Sequence, residues 1–274
     1  MRKKALTICC CTGVLAAFGA FFRWLQNQVS FEKDTGLAVP GSAWPYLVAA
    51  WIAVAAVVLG VQCLRLKNQQ WMHQPETFSE VFGAPSRIAW IAACVFGGVM
   101  ALGGIILLVS VPVQELQRPL LRILAVAAIA VGVTFPMQLR GAAAQEPSTG
   151  TVVIAALPIL LFAFWLIVSY KMNIVNPTIS AYAVEVLALC AATIGFYQIA
   201  GFTFGRPKAV RSVFWCQFAA FLCLMTLSDS RYMGAQCMFA AAAGMLLLQS
   251  WLVIVGTRPM SEMPVPEAET GEEV

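Results

Sequence analysis

Apolar residues form eight long runs along this chain, and polar positions are mostly confined to the short segments between them. Each run approaches the roughly 20 residues that an α-helix needs to cross about 30 Å of hydrocarbon. The period-two alternation of membrane barrel strands is absent. The pattern predicts eight transmembrane helices, near residues 5–25, 46–64, 88–110, 119–136, 151–170, 178–204, 208–227 and 232–256.

The composition supports this interpretation. Hydrophobic residues make up 60% of the chain and charged residues 11%, whereas an ordinary soluble domain has about 45 to 50% and about 25%. A soluble fold needs charged groups on the surface of every element, but a bilayer removes that need and requires helices or closed barrels. The predicted fold class is therefore an all-α, polytopic transmembrane helix bundle, with the lipid bilayer as its first partner.

The distribution of Lys and Arg predicts the orientation. With the N-terminus in the cytoplasm, eleven basic residues fall on the inner side and six on the outer side. Cytoplasmic loops of membrane proteins carry the excess of positive charge. We therefore expect both termini to lie in the cytoplasm and the protein to be a multi-pass protein of the plasma membrane.

Charge also divides the chain into two parts. Residues 1–257 hold 16 basic and 8 acidic residues and are predicted to form the transmembrane domain. Residues 258–274 contain five glutamates and are predicted to be a disordered, acidic cytoplasmic tail. The basic excess of the membrane domain predicts contact with anionic lipids on the cytoplasmic side. No loop interleaves aromatic and basic residues as a nucleic-acid platform does, so nucleic acid is not an expected partner.

Glu185 is the one carboxylate well inside an apolar run, the segment 178–204. A charged residue at the centre of a membrane helix costs about 2.5 to 3.5 kcal/mol on insertion scales, so it usually faces a partner, a cavity or a conduction path. The predicted topology places Glu185 roughly 12 Å below the outer boundary. This depth favours an outward-facing polar pocket over a proton relay at the midplane.

Several basic residues fall near the same outer end. We take Arg122 as the leading partner of Glu185, because it lies inside an apolar run and itself needs a partner or a route to the headgroups. The candidate binding residues are Glu185, Arg122, Arg23 and Arg231. The competing interpretation is that Glu185 is a structural carboxylate. Asp229, in the short turn before the last run, is expected to cap the last helix.

Motifs of enzymes, metals and cofactors are not found. His73 is the only histidine, so a histidine metal cluster cannot be built. The nine cysteines lie in apolar runs and do not resemble a secreted disulfide framework. An intramembrane lipid-modifying enzyme would have to use Glu185, Arg122 and Asp229, a group that lacks a nucleophile. We therefore expect no metal, no cofactor and no enzymatic activity.

Small residues predict close helix contacts. Ala93, Gly97 and Ala101 repeat at four-residue spacing in the third run, and similar pairs occur in the fourth and eighth runs, namely Ala128 with Gly132 and Ala240 with Gly244. Such stripes let helix backbones approach closely in a membrane. We expect the third span to be central in the bundle.

The N-terminal third carries a short motif, Arg23-Trp24-Leu25-Gln26 followed by Phe31-Glu32-Lys33-Asp34-Thr35-Gly36-Leu37. This motif resembles that of a family of uncharacterised multi-spanning bacterial membrane proteins whose first outer loop ends in Thr-Gly-Leu. The resemblance implies a bacterial plasma-membrane protein and no particular activity.

Three classes of function remain open at this point, the third being the intramembrane lipid-modifying enzyme considered above. The first is small-molecule transport or ligand binding through an outward-facing pocket near Glu185. The second is a regulatory or assembly role without transport, in which the protein binds another membrane protein.

Overall fold

Eight helices of the chain are long and apolar enough to cross a membrane, which confirms the predicted all-helical, eight-span fold class. The computed structural model that contains them describes residues 2–32, 37–67, 72–73, 75, 78–82, 86–112, 118–141, 149–174, 176 and 178–259. The predicted tail from residue 260 onward lies outside this range, and the side of the membrane on which each terminus lies stays a prediction.

The elements follow the predicted runs closely. The helices are α1 (Arg2–Val29), α2 (Trp44–Lys67), α3 (Phe78–Phe82), α4 (Arg87–Ser110), α5 (Arg118–Gly141), α6 (Thr149–Asn173), α7 (Ile179–Thr203), α8 (Ala209–Met225) and α9 (Met233–Gly256). A 3₁₀ turn, Thr226–Ser228, follows α8. The two-residue strands β1 (Met72–His73) and β2 (Arg258–Pro259) pair antiparallel, which ties the chain after α9 to the connection between α2 and α3.

Six of the long helices form a closed ring. Each helix from α4 to α8 packs against the next one along the chain, and α9 returns to pack against α4. Short connections favour such packing of sequence neighbours. Helices α1 and α2 lie outside the ring against α8, and α1 also touches α9. The interior of the ring is therefore the place where a cavity can form.

The most buried helices are α8 and α9. In their most apolar windows, 61% and 67% of residues are buried, compared with 33% in α4. The expectation that the third span is central is therefore wrong. The small residues of α4 pack against neighbouring helices on one face only. Large side chains on its other face, such as Ile88 and Val109, are exposed.

Glycines produce the close contacts of α4, as the small-residue stripes predicted. A Cβ placed on Gly132 of α5 would lie 2.5 Å from the carbonyl oxygen of Gly97. A Cβ placed on Gly234 of α9 would lie 2.5 Å from the carbonyl oxygen of Gly103. Only glycine allows these backbones to touch, so α4 can lie flat against both of its neighbours.

Buried side-chain hydrogen bonds join α1, α8 and α9 to one another and α9 to α5. Thr12 of α1 donates to the side-chain oxygen of Gln217 in α8 (2.6 Å), and the Gln217 amide donates to Ser250 of α9 (2.5 Å). Gln249 of α9 donates to Gln138 of α5 (3.1 Å). Polar side chains in hydrocarbon need such partners, because water is absent there.

Replacement of Gly97 by alanine tests the glycine contact. The added Cβ would clash with the carbonyl oxygen of Gly132. We expect Gly97→Ala to reduce the free energy of unfolding by about 1 to 3 kcal/mol, as overpacking typically does. Thermal unfolding of the purified protein in detergent measures the change.

The matched control is the neighbouring glycine, because a Cβ on Gly98 meets no atom within 4 Å. Gly98→Ala is expected to leave the Tm unchanged or to raise it slightly, since alanine favours the helix interior. Equal losses of stability in the two variants would contradict the proposed backbone contact.

Candidate ligand-binding site

The central contact of the site is an ion pair between α1 and the turn that joins α8 to α9. Arg23 Nε donates to Asp229 Oδ1 at 2.7 Å. The side chains are only 1% and 8% exposed, respectively. A charge at such depth costs several kcal/mol unless it is paired and hydrogen-bonded, and here each charge neutralises the other.

The other donors of Arg23 also have acceptors. Nη1 donates to the side chain of Gln26 and to the carbonyl oxygen of Ser180, both at 2.9 Å, and Nη2 donates to the carbonyl oxygen of Ala181. These carbonyls belong to the first turn of α7. Arg23 therefore joins α1 both to α7 and to the turn before α9, and four of its five N–H donors are used in these contacts.

Asp229 is also held by several donors. Besides Arg23, its Oδ1 accepts from Asn27 at 2.9 Å, and its Oδ2 accepts from Arg231 Nη2 at 2.7 Å. The expectation that Asp229 caps the last helix is wrong. The residue at the start of α9 is Tyr232, which makes no side-chain cap hydrogen bond. Asp229 is drawn away from this role because a buried arginine next to it is the stronger partner.

Arg231 connects this ion pair to Glu185. While Nη2 binds Asp229, Nη1 lies 3.0 Å from Oε2 of Glu185. Nη1 is buried but makes no hydrogen bond of good geometry to any described residue. The guanidinium also lies 5.4 Å from the centre of the Phe239 ring, a cation–π distance. Glu185 is thus paired through an ion contact that is short but poorly aligned.

The partner of Glu185 is Arg231 and not Arg122, so the leading expectation for this pair is wrong. Arg122 is exposed on the outside of α5, while Leu121 and Leu124 of the same helix line the cavity beside Glu185. The sequence could not reveal this, because the rotation of α5 about its axis decides which side chains point inward. An exposed arginine near the end of a membrane helix can extend its guanidinium to the headgroups, so Arg122 needs no protein partner.

A cavity of about 790 Å³ opens next to Glu185 at this end of the ring. Its walls come from α4, α5, α6, α7, α9, the turn before α9 and the end of α1 with the residues that follow it. The polar side chains of its lining are Asn27, Ser169, Asn173, Asn176, Tyr182, Glu185, Asp229, Ser230, Arg231 and Tyr232. The buried Ser169 hydroxyl lies beside Glu185 on the cavity wall. The site thus combines polar groups with apolar walls, as small-molecule sites do.

Aromatic rings fill the interior of the ring of helices below the cavity. Trp165, which lines the cavity, lies 4.4 Å from Phe239 and 5.8 Å from Phe162, measured between ring centres. Phe196 continues the series at 5.4 Å from Phe162, and Phe135 lies 6.0 Å from Phe196. All five side chains are buried. The cavity is therefore closed toward the middle of the bundle.

The structure brings three of the four predicted site residues together. Arg23, Arg231 and Glu185 belong to one chain of contacts through Asp229, and Arg122 does not. Sequence reasoning missed the amides of Gln26 and Asn27. Their spacing from Arg23, three and four residues, places them on the same helical face, and this was the available signal.

The described part of the chain contains no group of three or more His, Cys, Asp or Glu residues that could hold a metal ion. Comparisons with known protein families, with curated proteins and with solved structures find no match for this chain. The resemblance to bacterial membrane proteins of unknown function stays a prediction, and residues 33–36 of its motif lie outside the described residues.

Removal of Arg23 tests the ion pair. Arg23→Gln leaves the Asp229 carboxylate buried with one fewer positive partner, and breaking a buried pair from one side typically costs about 3 to 5 kcal/mol. We expect a correspondingly large fall in Tm in detergent. Arg122→Gln is the matched control, since Arg122 is exposed at the same end of the bundle, and it should leave the Tm unchanged. A small effect at Arg23 would contradict the structural role given to this pair.

Proposed function

We propose that this protein binds a small polar solute in the cavity beside Glu185 and that this site faces the outside of the cell. The observation that carries the proposal is the position of Glu185. Both carboxylates lie on the cavity wall, but three side-chain donors hold Asp229, whereas the ion contact of Glu185 to Arg231 is poorly aligned. An intramembrane carboxylate with spare hydrogen-bonding capacity beside a cavity is the usual mark of a functional group.

The charges at the site favour a solute that carries both signs or none. Two carboxylates, Asp229 and Glu185, face two guanidinium groups, Arg23 and Arg231, so the site is neutral before a ligand arrives. A singly charged ligand would leave one buried charge without a partner, which is costly. A zwitterion can offer a cation to Glu185 and an anion to Nη1 of Arg231 together. Such a ligand keeps the site neutral and aligns both hydrogen bonds.

The aromatic rings below the cavity would block the path of a transported solute. They separate the cavity from the opposite end of the bundle, so passage of a solute requires rings such as Trp165 and Phe239 to move. A site that opens to one side at a time is what an alternating-access transporter uses. The excess of basic residues at the opposite end supports an outward-facing cavity. We therefore infer that the protein binds a solute and that it takes this solute up into the cell.

A melting-temperature screen tests the binding proposal. Purified protein in detergent is heated with amino acids, betaines, polyols, simple carboxylates and simple amines. We expect selective stabilisation by a zwitterion, since a ligand at 100 times its Kd stabilises the folded state by about 2.7 kcal/mol. Glu185→Gln should fold and lose this stabilisation. Ala235→Phe, which fills the cavity without changing a charge, should lose it as well.

Arg122→Gln serves as the control and should keep the full response to the solute. Uptake of the same labelled solute into proteoliposomes then distinguishes a transporter from a binding protein. The proposal fails if Glu185→Gln and Ala235→Phe respond to every solute as the unaltered protein does.

A further inference from the structure

A second cavity, of about 640 Å³, lies on the outside of the ring at the opposite end of the bundle. It is a groove between the end of α2 and the beginning of α8. Three basic side chains, Lys67, Lys208 and Arg211, stand around it together with apolar and aromatic residues, namely Gly60, Cys63, Leu64, Pro207, Val210, Phe214 and Trp215. This groove is separate from the solute cavity and does not depend on its proposed function.

The three basic residues lack acidic partners in the part of the chain that the structure describes. None of them forms an ion pair there, and no Asp or Glu belongs to the lining of the groove. The positive charge of Lys67 is stabilised by the C-terminal end of α2, which is the negative end of the helix dipole. Lys208 and Arg211, by contrast, stand at the positive end of α8, whose first turn contains no acidic residue. Their positive charges add to that of the helix end, so the groove attracts an anion.

The walls of the groove are apolar along the helices. Gly60 lies about 10 Å along α2 from Lys67, at 1.5 Å per residue. A Cβ on Gly60 would meet only the Phe214 ring, at 3.9 Å, so the absence of a side chain leaves open space there. Trp215 is partly exposed beside it, and tryptophan favours the boundary between headgroups and hydrocarbon. Positive charge at the rim with an apolar channel beneath it matches the two halves of a phospholipid.

We propose that this groove binds one anionic phospholipid, with its phosphate held by Lys67, Lys208 and Arg211 and an acyl chain lying along Gly60 and Phe214. Because α2 lies outside the ring of six helices, a lipid bound here joins α2 to α8. The competing occupant is the acidic C-terminal segment of the same chain. The lipid is favoured because an acyl chain is apolar along its whole length, whereas the C-terminal segment offers only a few apolar side chains, such as Met263 and Val265, among five glutamates.

Lipid titration of the full chain tests the proposal. Phosphatidylglycerol and phosphatidylcholine with identical acyl chains are added to the purified protein in a neutral detergent, and bound lipid is counted by native mass spectrometry. We expect clear preference for phosphatidylglycerol. Each basic residue near a membrane surface contributes about a fivefold gain in binding to anionic lipid. The triple variant Lys67→Gln, Lys208→Gln, Arg211→Gln should therefore bind phosphatidylglycerol on the order of a hundredfold more weakly.

Two further variants separate the parts of the site. Gly60→Val fills the channel without changing charge. It should weaken phosphatidylglycerol binding by about fourfold for each methylene group of the acyl chain that it displaces. Arg87→Gln removes an exposed positive charge at the same end of the bundle but outside the groove, and it should bind as the unaltered protein does.

Four results would overturn the proposal. Equal binding of the two lipids would show that charge plays no part. If Arg87→Gln weakens phosphatidylglycerol binding as much as the single variant Lys208→Gln does, the preference reflects diffuse surface charge. If low-millimolar glycerol phosphate displaces all of the bound phosphatidylglycerol, and Gly60→Val does not change phosphatidylglycerol binding, the groove binds only a headgroup and has no acyl channel. If phosphatidylglycerol binds only after residues 261–274 are deleted, the acidic segment is the occupant.

Discussion

Arg23 and Asp229 form an ion pair in a region where water is scarce, and the arrangement of one end of the bundle depends on it. Each charge would be prohibitively costly alone, so the two must meet. For them to meet, the end of α1 must lie against the turn between α8 and α9. The other donors of Arg23 then hold the first turn of α7 in place. Asp229 in turn orients Arg231, and Arg231 lies against Glu185.

The two carboxylates of this network have different environments, although both line the cavity. Asp229 accepts hydrogen bonds from Arg23, Asn27 and Arg231, and its side chain is 8% exposed. Glu185 has a short but poorly aligned ion contact to Arg231 and lies beside the Ser169 hydroxyl. A buried carboxylate held by several aligned donors is suited to fixing structure, whereas one with unused acceptor capacity can respond to a ligand. This difference supports the proposal that Glu185, and not Asp229, is the ligand-binding carboxylate.

The ring of six helices explains why the two cavities differ in character. The cavity beside Glu185 lies inside the ring, where five of the ring helices, the turn before α9 and the end of α1 contribute to its lining and aromatic residues lie below it. The basic groove lies outside the ring, between α8 and the attached helix α2. Glycine contacts such as Gly97 with Gly132 bring α4 close to its neighbours.

The sequence by itself determined the eight spans, because bilayer thickness sets the length of an apolar helix and a one-dimensional pattern is enough to read it. It also determined that Glu185 needs a partner and that glycines such as Gly97 mark close contacts. It did not determine that Arg231 is this partner, that Arg122 points outward, or that α8 and α9 rather than α4 are the most buried helices. These features depend on the rotation of each helix about its axis and on which helices are neighbours. Only the tertiary structure decides them, because most lipid-facing and protein-facing positions in hydrocarbon are alike apolar and the polar side chains that mark the surface of a soluble protein are missing.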